Sequence, residues 1–317
     1  MTTQIAGPTD VRTAPNGAGG TGTVFDIGYQ RYTGAREGRG RARRAVYTDG
    51  LRAALGLGRG AWSKVLPWFF IGLLAGIALI MALIAGAAER MAGPGAAERM
   101  NLPSHSDYNG FASIILFLFA ALVGPELLCR DRREGVLNLY FVRPLTSGDY
   151  VAARWLAFLV VMLVAAWLPQ IILLLGLSMG DPTPVAYLRK NWLDIPRFLA
   201  AGLVMAAYIT TLAMLTASFT TRRAYAAVFL VGLFAITTPF TMGLAAEIGG
   251  RTGQVISLFS LTNIPLYVND IIFGEVSEVT SIAPARTLPK PMLVGWWFAW
   301  TVIPGVILWW RYRRLTP

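Results

Sequence analysis

The sequence has one cysteine, Cys129, and one histidine, His105, in 317 residues. A disulfide framework needs at least two cysteines and structural zinc draws on several Cys and His together, so both are excluded. Charge is also scarce: 14% of residues are Asp, Glu, Lys or Arg, against about 25% in soluble domains. The charge that is present leans one way, with 28 Lys+Arg against 17 Asp+Glu and a formal net charge of +11. A G-x-x-x-x-G-K-[ST] phosphate loop is missing, because the glycine-rich run GLGRGAWSK from Gly56 to Lys64 lacks its spacing. The chain therefore has no nucleotide site of that kind, and no cofactor or metal is expected on it. Residues 1–23 lack the apolar core of a secretory signal, so the N-terminus is expected in the cytoplasm.

Apolar residues are abundant, at 55% of the chain. They gather in six stretches: Leu66 to Ala88, Phe111 to Leu128, Trp155 to Met179, Phe198 to Phe219, Ala224 to Ala246 and Met292 to Trp310. Each is close to the roughly 20 residues that carry a helix across a bilayer. The expected fold is an all-α membrane protein with six transmembrane helices. Pro125, Pro169, Pro239 and Pro304 fall inside them, which bundles tolerate when neighbouring helices satisfy the freed backbone groups. With the N-terminus inside, twenty of the 28 Lys+Arg fall on the cytoplasmic side and eight outside. That is the sign the positive-inside rule requires, and six spans return the C-terminus to the cytoplasm.

Two further segments have a character of their own. Residues 41–64 mix arginines with Val46, Leu51, Leu55 and Trp62, which reads as an amphipathic helix at the membrane interface, interrupted at Gly56, Gly58 and Gly60. The alternative is an Arg-rich tail that sets topology and binds anionic membrane lipid. Nucleic acid is not an expected partner, since no recognition module accompanies the run. Residues at about 253–275 are apolar but broken by Asn263, Pro265, Asn269 and Asp270. A span with that many polar breaks is costly, so a re-entrant pair of short helices before the last span is expected. The organisation is then a leader over 1–40, the interfacial helix over 41–64 and a six-span domain over 65–317.

Within the predicted spans only Glu126 is ionisable, near one end, which disfavours an ion-driven carrier. The other polar groups there are Gln170, Thr210, Thr211, Thr237, Thr238 and Thr241. They are candidates for lining a translocation path, although such side chains commonly bond their own backbone or a neighbouring helix. With no charge at mid-membrane, an apolar or amphipathic substrate passes more easily than a small ion. His105 and Asp107, in HSDYNG, could suggest a catalytic pair, but a lone loop histidine is more often solvated.

The segment from Gly124 to Trp155 carries the most information. Glu126, Arg130 and Glu134 follow one another at four-residue steps, favourable helix pairings. Gly135 permits a turn, and Val136, Leu139 and Tyr140 give one apolar stripe of a short helix that Pro144 ends after Arg143. Thr146 and Asp149 then form a capping-box start for the next span. A short bounded helix outside the bilayer, within 130–146, is a docking element.

This pattern resembles the permease subunits of type-2 bacterial ABC exporters, the ABC-2 family. The carrying residues are Glu126, Glu134-Gly135-Val136-Leu137, Leu139-Tyr140, Arg143-Pro144-Leu145, Tyr150 and Arg154. The resemblance implies a multi-pass subunit of the bacterial inner membrane that is not itself an enzyme. It implies two copies of a separate ATPase, holding ATP and Mg, docked on the segment from Glu134 to Pro144 as a coupling helix. It also implies a second permease copy, with an interface guessed at the first span, around Gly72 and Gly76, and the fifth. A membrane scaffold that controls a partner ATPase without transport is the alternative.

Overall fold

The computed structural model describes residue 34 and residues 38–58, 60–93, 99–100, 102, 104–137, 140, 145–180 and 183–314. Those from 38 onward belong to one compact unit and, among the described residues, form helices and turns with no strand. In chain order the helices are α1 Arg39–Ala54, α2 Ala61–Ala92, α3 His105–Arg133, α4 Ser147–Gly180, α5 Pro184–Lys190, α6 Asp194–Phe219, α7 Arg223–Ile248, α8 Gly250–Ser257, α9 Asn263–Phe273 and α10 Lys290–Arg313. Six of them, α2, α3, α4, α6, α7 and α10, are long and apolar enough to cross a membrane. At about 1.5 Å per residue each exceeds the roughly 30 Å of hydrocarbon.

Local chemistry explains the starts and breaks. Ser104 and Asp107 form a capping box at the head of α3, with the Asp107 amide donating to Ser104 Oγ and the Ser104 amide donating back to Asp107 Oδ2. Thr146 and Asp149 do the same for α4, the amide of each donating to the side chain of the other at 3.2 and 3.3 Å. The stretch over 41–64 is divided: α1 ends at Ala54, and the helix of the first span begins at Ala61. Gly56 and Gly58, at φ 67° and 78°, make the corner in a backbone region that favours glycine. Ser63 Oγ closes it by donating to the carbonyls of Gly60 and Gly56.

Helices α3, α4 and α6 form the centre; α7 and α10 are mostly exposed along their apolar windows. Helix α1 packs on α4 and α3 through Val46, Gly50 and Ala54, one buried face at four-residue steps. A Cβ at Gly50 would stand 2.8 Å from Ala157 Cβ, so α1 sits as close to α4 as a backbone allows. Helices α2 and α4 cross on Ala82 and Gly86 against Gly176 and Gly180, where a Cβ on Gly180 would lie 2.7 Å from Gly86 Cα. Small residues let backbones approach and gain dispersion contacts without any hydrophobic drive from the lipid.

At the end of the bundle opposite α1, Gly249 and Gly250 (φ 62° and 56°) turn the chain back after α7 into the pair α8 and α9. Eight and eleven residues are too short to span. The polar residues that interrupt this stretch are buried in protein: Asn269 Nδ2 donates to Ser106 Oγ at 2.9 Å, and Asn109 Nδ2 donates to Asn269 Oδ1 at 2.8 Å. Trp296 of α10 donates its indole N–H to Leu258 O at 2.8 Å and Trp297 donates to Val204 O at 3.2 Å, fastening the last span to this pair and to α6.

Gly176→Ala places a methyl against Ala82 and should cost about 1–3 kcal/mol by overpacking. It should be read as a lowered Tm in detergent. Gly295→Ala, with no heavy atom within 4 Å of the added Cβ, should not lower the Tm; equal loss in both variants would refute the α2–α4 crossing.

Candidate coupling site and interior polar groups

Tyr150 and Arg154 lie one turn apart on α4 and share its inward face. Arg154 is 1% exposed, and its Nη2 donates to Asp131 Oδ2 of α3 at 2.6 Å and pairs with Asp49 Oδ2 of α1 at 2.8 Å. Tyr150 donates its hydroxyl to the same Asp131 oxygen at 2.7 Å, and its ring lies 5.6 Å beneath the guanidinium. The rings of Tyr140 and Tyr312 flank Tyr150 at 5.7 and 5.8 Å. One buried charge therefore joins α1, α3, α4, α10 and the segment after α3. Taking a guanidinium out of water costs several kcal/mol, which two carboxylates and a cation–π contact offset. Burial also raises the Tyr140 phenol above its ordinary pKa.

Beside this cluster stand the described residues of the predicted docking segment, 134–137 and 140. Arg130 Nε donates to Glu134 Oε1 at 3.1 Å, an exposed i,i+4 pair worth only tenths of a kcal/mol. Gly135 at φ 68° turns the chain, and the Val136 amide returns to Asp131 O at 3.2 Å. Glu126 pairs with Arg223 of α7 at 3.2 Å. Glu126, Arg130, Glu134 and Tyr140 all line one recess of about 140 Å³ together with Asp131 and Arg154. Leu139, Arg143 and Pro144 lie outside the described residues. Two further arginines reach the C-terminal end of α6: Arg132 and Arg311 both donate to Ser218 O, where a helix presents free carbonyls and negative partial charge. Arg39 and Arg43 of α1 hold Asp149 at the head of α4, at 2.6 and 2.7 Å.

The candidate path groups sit on three helices, α4, α6 and α7. Gln170 is 1% exposed at the end opposite α1, its Oε1 2.5 Å from His105 Nδ1 and its Nε2 donating to Asn109 Oδ1 at 2.7 Å. His105, expected to be solvated, is buried at 6% exposure: α3 begins at that residue, and the ring stacks on Phe198 with 6.0 Å between centroids. Thr210 and Thr211 are buried in α6, and Thr211 donates to Ala207 O while accepting from Trp155 Nε1 at 3.0 Å. On α7, Thr237 donates to Leu233 O, Thr241 to Thr237 O, and Thr238 to Thr262 Oγ1 at 2.8 Å. Their hydroxyls mostly serve the backbone and neighbouring helices, as threonines in apolar surroundings do.

Sequence reasoning missed Asp49 and Asp131 and took Arg154 as part of the family pattern without a partner for it. The available signal was Tyr150 and Arg154 at i,i+4, with a lone aspartate inside the run Arg130-Asp131-Arg132-Arg133.

The sequence model of the family described as ABC-2 family transporter protein matches residues 70–315, which takes in most of α2 and all of α3 through α10. No curated protein matches the sequence.

Removing one member of the buried pair leaves an uncompensated charge. Asp131→Leu and Arg154→Met should each destabilise by about 3–5 kcal/mol, while the two combined should cost clearly less than the sum of the single losses. A double-mutant cycle on detergent-solubilised protein measures this, and additive losses would show that the two side chains do not depend on each other.

Proposed function

The chain belongs to the ABC-2 family of transporter proteins, and from the premise that it is the membrane permease subunit of an ABC transporter we propose that it works in export. In this reading a separate ATPase, holding ATP and Mg, docks on the segment from Glu134 to Pro144. Two ATPase copies serve two permease copies in the inner membrane, with both termini of each permease on the ATPase side. The observation that carries the reading is the seat of the docking segment. Glu134 and Tyr140 stand over the Arg154 cluster, and Tyr140 rests on Tyr150. A push on Tyr140 meets α4 and α10 through the rings of Tyr150 and Tyr312, and Tyr150 and Arg154 pass it to α3 and α1 through Asp131 and Asp49. Closure of the ATPases on ATP would then rock each permease copy as a body and open a path between the two.

In this reading the second copy packs against α2 and α7. Gly72 and Gly76 meet no heavy atom that would crowd a Cβ. Helix α7 exposes Val228, Phe229, Ile236 and Phe240 at 60 to 71%. A path between copies would run along Thr237 and Thr238, which are half-exposed, whereas Gln170, Thr210 and Thr211 are enclosed within one copy. An apolar or amphipathic substrate suits such a wall.

Charge reversal tests the docking assignment. Glu134→Arg and Arg143→Glu should reduce the ATPase copurifying with the permease at least tenfold, while the permease keeps its Tm and its membrane yield. Full recovery of ATPase with wild-type ATP-driven transport in proteoliposomes would overturn it. ATP turnover altered by the permease with no substrate movement would instead identify a regulator that docks the ATPase without transport.

A further inference from the structure

We propose that the groove between α1 and the first turns of α4 binds an anionic phospholipid. The groove has a volume of about 470 Å³, and Arg43, Arg44, Tyr47, Asp149, Ala152 and Leu156 line it. Its two sides differ in chemistry. Helix α1 contributes Arg43, with half of its side chain exposed, and the exposed Arg44. Helix α4 contributes Ala152 and Leu156, the latter 47% exposed.

The acid in the lining does not oppose an anion. Asp149 is held by Arg39 at 2.6 Å, by Arg43 at 2.7 Å and by the Thr146 amide at 3.2 Å, and little of it is exposed. Arg39, Arg43 and Arg44 against this one carboxylate leave an excess of two positive charges at the α1 side. Guanidinium groups bind phosphate through paired N–H donors, so a phosphodiester headgroup is the fitting anion.

The apolar side continues past the groove. Leu156, Val164, Leu168, Ile171 and Leu175 are exposed on α4, with half-buried Val160 between the first two. Steps of three and four residues put them on one face of the helix. At about 1.5 Å per residue the stripe is roughly 28 Å long, more than the length of one acyl chain in its leaflet. A soluble phosphate would leave this wall uncovered, and a zwitterionic lipid would bring its ammonium beside the arginines. An anionic phospholipid matches both sides, with Tyr47 between them as rings sit at polar–apolar boundaries. Bound there, the lipid would hold α1 to α4 next to the Asp49–Arg154 pair.

Lipid adducts on the purified full chain, counted by native mass spectrometry during titration, test this. Dioleoyl phosphatidylglycerol should bind at least tenfold more tightly than dioleoyl phosphatidylcholine. Arg44→Gln should weaken the phosphatidylglycerol adduct about fivefold, and Arg43→Gln with Arg44→Gln about 25-fold, from the usual contribution of a basic residue at an anionic lipid surface. Leu156→Gln should weaken it without any change of charge. Arg52→Gln, which removes the same charge from α1 outside the groove, should leave it unchanged. R44Q and L156Q keep the Asp149 pairs, so the test stands even where R43Q loosens α1. Equal binding of the two lipids, an R52Q loss matching R44Q, or displacement of phosphatidylglycerol by equimolar glycerol 3-phosphate would each overturn the proposal.

Discussion

The guanidinium of Arg154, 1% exposed, is held 2.6 and 2.8 Å from the carboxylates of Asp131 and Asp49. An unpaired charge at that depth would cost several kcal/mol, so the positions of α1 and α3 against α4 are conditions for folding. Other features near this end follow from the same constraint. Gly50 is needed because any side chain there would push α1 off Ala157 and carry Asp49 out of reach. Tyr150 donates to the same Asp131 oxygen as Arg154 and extends the cluster to Tyr140 and Tyr312. The segment after α3 is thereby joined to α10, far away in sequence.

The opposite end is organised differently. His105, Ser106, Asn109, Gln170 and Asn269 join α3, α4 and α9 through neutral hydrogen bonds. Amides carry both donors and acceptors and can bond one another without a charge, although the buried His105 Nε2 of this set has no partner among the described residues. Between the two polar clusters α3, α4 and α6 pack on apolar side chains and small residues, while α7 and α10 keep most of their surface outside. The proposed motion uses this contrast: the central helices are pinned at both ends, and the exposed helices are left to meet a second copy.

The six spans were legible because each contains a long apolar window, and their order and the short pair before the last one followed from where polar residues interrupt the pattern. Some boundaries were less so. Helix α3 begins at His105, six residues before the apolar run at Phe111, because its polar first turns bury against α9 and α4; the Ser104–Asp107 box that caps this start went unread in the sequence. The division at Gly56 and Gly58 was visible as an imperfection of an amphipathic helix but not as a corner. The Arg154 cluster was not legible. Asp49, Asp131 and Arg154 come from three helices, and hydropathy does not say which face of α4 turns inward. The Glu126–Arg223 pair was hidden for the same reason: local spacing offered Arg130, and the fold brought α7 alongside.

The most direct test of the central claim, that the Arg154 cluster ties the proposed docking segment to the spans, is the ratio of substrate moved to ATP hydrolysed in proteoliposomes holding the Asp131→Asn permease with its ATPase. Asparagine keeps the size of the side chain and removes its charge. The account predicts that the ATPase still copurifies and still hydrolyses ATP while transport per ATP falls at least tenfold. An unchanged ratio in this variant, folded but without the Asp131 charge, would contradict it.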